Sequence, residues 1–307
     1  MPERIAGFLP PRDLVIYRKV PQSQRNTYEA ALSGIKRLGD PKYQDYLDRR
    51  GFSESDLDHV CTMLGEVNLI ESKYPTISRT ADLSKVRFLS ILHDAGEICV
   101  GDVPIALQQT PQGRRKKERE PVHALTCVIG KIEDPQLKQD ASDLYQRYIG
   151  QKDFNKNMLA GNMDAFLNPD IEVLLTKYID MYAGTIIVNS NTVFSDWIDK
   201  GLKEPPQEMV DHVKERAHAM YNHMIGLRQS LGMRASAQGT RPDLVSKVVK
   251  EVNHMYLSHI KKLSEIGYRF ESEYVWTVQP DPKDPRFNIY KPYYFLGAEH
   301  PLPDLSV

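Results

Sequence analysis

The sequence predicts an all-α fold. Long windows carry apolar residues at spacings of three and four, and strict alternation of apolar and polar residues is scarce. The balance of 41% hydrophobic and 26% charged residues over 307 positions is that of a globular chain with a core to bury. At roughly 100–200 residues per domain, this length makes one large domain, or one domain with an appendage. We expect a core with an N-terminal extension over residues 1–203. Residues 204–307 then form a C-terminal helical extension and an extended arm, packed on that core. The boundary falls near Lys203-Glu204-Pro205-Pro206, which is either a domain border or a plain helix break.

The first helix window, 28–38, rests on the spacing alone. The second, 56–70, can begin at Ser53 or Ser55, each followed three residues later by an acid (Asp56 or Asp58), a variant of the capping box. Leu57, Cys61 and Leu64 supply its buried face. The third, 83–99, turns Phe88, Ile91, Leu92, Ala95 and Cys99 to one side. Residues 108–120 differ: a turn-prone Thr110-Pro111-Gln112-Gly113 precedes the charge run Arg114 to Glu120, which reads as a solvated face. A window at 122–132 follows, then a nearly continuous apolar run at 171–188, whose start Asn168-Pro169 signals. Windows 209–231 and 244–266 complete the helices. From Tyr274 onward Pro280, Pro282, Pro285, Pro292, Pro301 and Pro303 exclude regular helix. That proline- and aromatic-rich tail is expected to be extended, with Tyr290, Tyr293, Tyr294 and Phe295 packing on their own domain or on a second subunit.

Composition excludes several functions. Lys and Arg total 40 against 41 Asp and Glu, so the chain as a whole is no match for a nucleic-acid polymer or an anionic membrane surface. No apolar stretch is long enough to span a bilayer, and residues 1–13 lack a secretory pattern. Cys61, Cys99 and Cys127 are widely spaced with no CxxC pair, which argues against a disulfide framework and against a cysteine zinc site. The expected compartment is the cytoplasm.

The chemistry concentrates in His93-Asp94-Ala95-Gly96-Glu97-Ile98-Cys99-Val100-Gly101-Asp102-Val103-Pro104. If this helix continues, His93 and Glu97 stack on one side, with Asp94 beside His93. Gly101 permits a sharp turn that returns Asp102 toward the same place. Desolvating an imidazole and several carboxylates together is expensive unless they bind a cation, and a divalent transition metal suits this ligand set. A helix end with solvated charges is the plainer reading, and spacing does not decide between them. The remaining histidines are poor chelators: His218 and His223, like His254 and His259, are five apart and so about 140° apart on a helix. His123 has no evident role.

These residues resemble the HD-domain metal-dependent phosphohydrolases, in particular the branch related to 5'-deoxynucleotidases, with its pattern H…HDxxExxxxDxP…D. Here the pattern reads His59, His93-Asp94-Ala95-Gly96-Glu97, Gly101-Asp102-Val103-Pro104 and a distal Asp180. Ser53 to His59, Arg115 to Ala124 and Leu175 to Met181 are similar to the branch's flanking segments, and the likeness covers about residues 34–188. The resemblance implies an HD helical bundle and one divalent ion per chain (Mn, Co, Fe, Zn or Ni). It also implies the ligand set His59, His93, Asp94 and Asp180. By its helix pattern alone, Asp180 lies with Thr176 and Lys177 on a polar stripe that reads as a solvent face. Four protein ligands leave positions for water and a phosphate oxygen. We assign Glu97 to orienting the water or accepting its proton, and Asp102 to protonating the leaving alkoxide.

Ile98 after Glu97 departs from the tetraphosphate-hydrolase pattern HDxxED, and Glu97 departs from the HDxGK of cyclic dinucleotide phosphodiesterases. The resemblance thus points to a nucleotidase removing phosphate from a nucleoside monophosphate or similar small phosphate monoester. Arg37 and Arg50 stand at about the distance before His59 where the family carries its phosphate-contacting Arg. A solvated helix end is an equal reading for Lys36-Arg37. The Trp usual beside that Arg is missing, which leaves base and sugar preference open. The expected partners are a small phosphate ester and, by the family's habit, a second copy of the chain. Two other functions remain: a non-enzymatic metal-binding HD fold using its C-terminal third for a partner, and a phosphodiesterase on a related nucleotide.

Overall fold

The computed structural model describes residues 3–37, 54–103, 110–151, 170–184, 207–237, 242–265, 274–280 and 288–294. After a 3-10 turn at Ile5–Phe8 come α1 (Pro11–Tyr17), α2 (Gln22–Gly34), α3 (Asp56–Lys73), α4 (Pro75–Thr80), α5 (Leu83–Leu92) and α6 (Glu97–Val100). Then follow α7 (Pro111–His123), a π turn (Ala124–Val128), a 3-10 turn (Ile129–Lys131), α8 (Pro135–Gln151), α9 (Ile171–Gly184), α10 (Gln207–Ala237) and α11 (Pro242–Glu265). The fold is all-α, as expected, with a two-stranded antiparallel ribbon in the tail: β1 (Tyr274–Pro280) pairs with β2 (Asn288–Tyr294), Val278 opposite Tyr290. The proposed boundary at 203–206 lies outside the described residues. Among the described residues no helix is long and apolar enough to cross a membrane.

Local chemistry explains where the elements begin. Ser55 caps α3 in a full capping box: its hydroxyl accepts from the Asp58 N–H, and Asp58 reaches back to the Ser55 N–H. Asp82 caps α5 and Asp170 caps α9. Thr110-Pro111-Gln112-Gly113, which reads as a turn, is the start of α7. Thr110 accepts from the Gly113 N–H, and Pro111 takes the first helical position, where a missing N–H does no harm. Pro121 lies inside α7, and the helix then widens into the π turn, so the expected regular helix at 122–132 is irregular.

Among the described residues the core has three clusters, and α5 touches all of them. Its Val86 joins α3, α4, α9, α10 and α11 around Met63, Ile77, Tyr178, Leu227 and Val252. Its Leu89 and Leu92 join α8 around Leu144 and Tyr145. Its Ile91 joins α2 and α3 around Leu32, Val60 and Leu64. At about 1.5–3 kcal/mol for each large apolar side chain fully buried, this threefold anchoring holds the end of α5 rigidly. That end is where His93 stands. His259 of α11 is buried between Tyr178 and Glu66, 2.8 Å from the hydroxyl of one and the carboxylate of the other, and stacks on Tyr182. It is a core histidine.

Candidate metal centre

Three chain segments converge. The first turn of α3 brings His59, the residues after α5 bring His93 and Asp94, and the last part of α9 brings Asp180. His59 Nε2 lies 3.1 Å from Asp180 Oδ1, and His93 Nε2 lies 2.9 Å from Asp94 Oδ2 and 3.9 Å from Asp180 Oδ1. The two imidazole rings are 5.4 Å apart, centre to centre. Both are buried, while Asp94 and Asp180 keep only 14% and 12% of their side-chain surface, so neither is a solvent residue. The reading of Asp180's stripe as a solvent face gives way here. Thr176 is buried with its hydroxyl on the Glu172 carbonyl, and Lys177 pairs with Asp180.

The tautomer of His93 is informative. Its Nδ1–H donates to the Ser90 carbonyl at 2.9 Å, which leaves Nε2 facing two carboxylates. A lone pair against two anions is repulsive unless a positive charge stands between them, either a proton on the ring or a cation. Histidines that bind metals are held in this way, with the far ring nitrogen on a carbonyl. Two ligand atoms of one ion, each about 2.0–2.2 Å from it, lie at most about 4.4 Å apart. The distances above fall within that span. The donor atoms of His59, His93 and Asp94 all lie within 4.8 Å of one another, close enough that at most a small side-chain adjustment lets them share a divalent ion.

A wider ring of charge surrounds this group. An isolated bridge between Lys36 and Ser55, with the Arg37 N–H on the Glu54 carbonyl and the Asp56 N–H on the Ile35 carbonyl, sets Arg37, Glu54 and Asp56 beside the histidines. The Arg37 guanidinium is 3.1 Å from Asp94 and 3.8 Å from Asp56. It is therefore neither on a helix end nor solvated. Arg50 lies outside the described residues.

The expected continuous helix over 83–99 is broken. It ends at Leu92, His93 to Gly96 form a tight turn, and α6 starts afresh at Glu97. His93 and Glu97 therefore do not stack on one helix. Glu97 turns toward α7, with Oε1 accepting from Lys117 Nζ at 3.2 Å, and Lys117 also pairs with Glu120 at 2.6 Å. Gly113, Lys117 and Glu120 form an inward face, so the charge run is solvated only on its other side. Gly96 makes this approach possible, since a Cβ there would sit 2.2 Å from the Glu120 carbonyl oxygen. Gly101 turns at φ +74°, a conformation that favours glycine, and places the Asp102 charge where it is felt by Glu54, Asp56 and Glu97.

Among the described residues the carboxylates outnumber the fixed cations Arg37, Lys117 and Lys177, and the acidities reflect it. Burial raises the Asp56 carboxyl to about 8, with Asp94 adding to the effect. Burial raises Glu54 to about 7, and burial with the Asp94 charge holds Glu97 well above its usual range. Asp94 and Asp180 are held low despite burial, the first by His93 and Arg37, the second by Lys177, His59 and His93. Burial and Arg37 lower His59 to about 4, whereas Asp94 and Asp180 outweigh burial and raise His93. Among the described residues, both oxygens of Glu54 and of Asp56, and Glu97 Oε2, have no hydrogen-bond partner. Among the described residues the site is short of positive charge.

Glu54, Asp56, Lys117 and Glu120 fall in segments that the resemblance covers, but none was given a role at the site. The first two sit in the acidic run before His59, where Asp56 reads as a capping residue. The other two are hidden in a charge run, and their spacing with Gly113 (i, i+4, i+7) is the only signal of an inward face. A groove of about 600 Å³ lined by Asp13, Arg87, Asp140 and Arg147, among others, shares none of the site residues. No protein-family model matches the chain, and neither a curated protein nor a solved structure matches it.

Proposed function

We propose that the protein is a metal-dependent phosphohydrolase that removes phosphate from a small phosphate monoester, with a nucleoside monophosphate as the leading substrate class. The observation that carries this reading is the meeting of His59, His93, Asp94 and Asp180, with the His93 ring locked so that Nε2 faces two carboxylates. The likeness of these residues to the HD pattern adds the reaction class. A divalent ion held by the four would acidify water and polarise a phosphoryl oxygen. Arg37 supplies the fixed positive charge a phosphoryl group needs. Glu97 is held on Oε1 by Lys117, which leaves Oε2 to orient the water or, where a cation offsets the neighbouring carboxylates that keep Glu97 protonated, to accept its proton. Asp102, returned by the Gly101 turn, delivers a proton to the leaving oxygen.

The alternative, a partner-binding protein with a metal fold, is less well supported. The C-terminal helices bury Met220, Met224, Leu227, Leu231, Val248, Val252 and Met255 in the same cluster as α3 and α9, which gives that region a structural task.

The test is a screen of nucleoside monophosphates against cyclic nucleotides, using chelator-treated protein resupplied with Mn or Co. Phosphate release from monophosphates that depends on added metal, with both activity and bound metal lost in His93→Ala, is the expected result. Release from no substrate by a protein that still binds the ion would leave the partner-binding reading, and release from cyclic nucleotides alone would favour the phosphodiesterase.

A further inference from the structure

A second group of ligand-type side chains stands on the outer side of the α6–α7 junction. Cys99 lies on α6, His123 is the last residue of α7, and Cys127 follows in the π turn. The donor atoms of all three lie within 4.8 Å of one another. Cys127 Sγ is 4.0 Å from His123 Nδ1 and 3.5 Å from Thr126 Oγ1, and it is within hydrogen-bonding reach of Cys99. His123 and Cys127 share a helical face by their spacing of four. Cys99 comes from a separate segment, which Gly96 allows to sit on the carbonyl of Glu120.

We propose that Cys99, His123 and Cys127 form a second cation site, for a thiophilic divalent ion such as Zn²⁺, with a fourth position open to water. Tetrahedral zinc with bonds of about 2.3 Å to sulfur and about 2.0–2.1 Å to nitrogen places an S···N pair about 3.5 Å apart. The 4.0 Å between Cys127 and His123 therefore closes by a side-chain adjustment, without backbone movement. The cluster also lies at the surface, with Cys99 exposed and Cys127 half-buried, so an ion can enter. The donors differ in kind from the oxygen- and imidazole-rich set at His93, so the two sites prefer different metals. An ion here ties α6, which carries Glu97, to α7, which carries Lys117 and Glu120. The inference does not depend on the phosphohydrolase reading.

The experiment is a Co²⁺ titration of full-length, chelator-treated protein under a phosphine reductant, following near-ultraviolet thiolate-to-cobalt absorption. The expected result is one thiolate-bound Co²⁺ per chain. The band should persist in His93→Ala and Cys61→Ser, disappear in Cys99→Ser and Cys127→Ser, and require at least about tenfold more Co²⁺ in His123→Ala. A second measurement needs no variant: Zn²⁺ should shield Cys99 and Cys127 of the wild-type chain from alkylation, read by mass spectrometry of the digested protein. No cobalt band, a band that survives both serine substitutions, or unshielded Cys99 and Cys127 at saturating Zn²⁺ would each overturn the proposal.

Discussion

Asp56 and Glu54 bury their carboxyl groups without a hydrogen-bond partner among the described residues, an arrangement that is unfavourable unless the groups stay protonated or a cation arrives. Glu97 shares that predicament but has Lys117 on one oxygen. A carboxyl placed by a single strong contact, with its second oxygen buried but unpartnered among the described residues, is suited to proton transfer once water or substrate reaches it. Its loss is expected to reduce turnover by about 10²–10⁴-fold. The check is Glu97→Gln: phosphate release should fall by that order while metal content, measured on the same preparation, stays at the wild-type level. Unchanged turnover would remove Glu97 from the mechanism. His93 differs, because its Nδ1–H is held by a backbone carbonyl.

Elements meet at the site through close approaches that a small change would spoil. The turn after α5 runs against the end of α7 with no room for a methyl group at Gly96. Its backbone angles are ordinary helical ones, φ −70° and ψ −26°, so crowding is the sole objection to a side chain there. Gly96→Ala should therefore cost about 1–3 kcal/mol of stability through overpacking. It should also separate Glu97 from Lys117, lowering turnover more than binding. Urea melts and steady-state kinetics on the same variant test both parts. The end of α5 is held from another side by Tyr28 of α2, whose hydroxyl donates to the Ile91 carbonyl two residues before His93. Such ties explain why the helix stops at Leu92 although its apolar pattern continues.

For the whole molecule, the C-terminal helices are fastened to the core by charge as well as by apolar contact. Glu251 of α11 accepts from the Thr76 and Ile77 N–H groups at the start of α4. Arg234 of α10 holds Glu172 of α9 by two contacts of 2.5 and 3.2 Å, and the Asp82 N–H donates to the same carboxylate at 2.9 Å. Burial alone would raise the Glu172 carboxyl, but Arg234 and the backbone donor prevail and hold it below its ordinary 4.5. A carboxyl depressed in the folded state stabilises above its unfolded value, and that contribution disappears as the pH falls through the folded value. Glu172→Gln should thus destabilise the protein near neutral pH by about 1–3 kcal/mol, and the difference from wild type should shrink under acid. Urea melts at a series of pH values give the curve. A difference that stayed constant down to low pH would assign the loss to packing.

The helical class and the starts of several helices were legible in the sequence, because periodicity and capping are local properties. Ser55 with Asp58 is such a case, decided within a few residues. Of the candidate site residues, His93, Asp94, Glu97 and Asp102 were singled out by their spacing, and His59 and Asp180 by the resemblance. What only the tertiary structure decided is which polar faces turn inward. Asp180 and Lys117 lie on stripes that look solvated in one helix at a time, and their partners come from other helices, His59 of α3 for Asp180 and Glu97 of α6 for Lys117. Cys99 and Cys127 have no local signature, since they meet only where α6 crosses the end of α7. A side chain's burial is a property of what packs against it, and that neighbour is not written in its own helix.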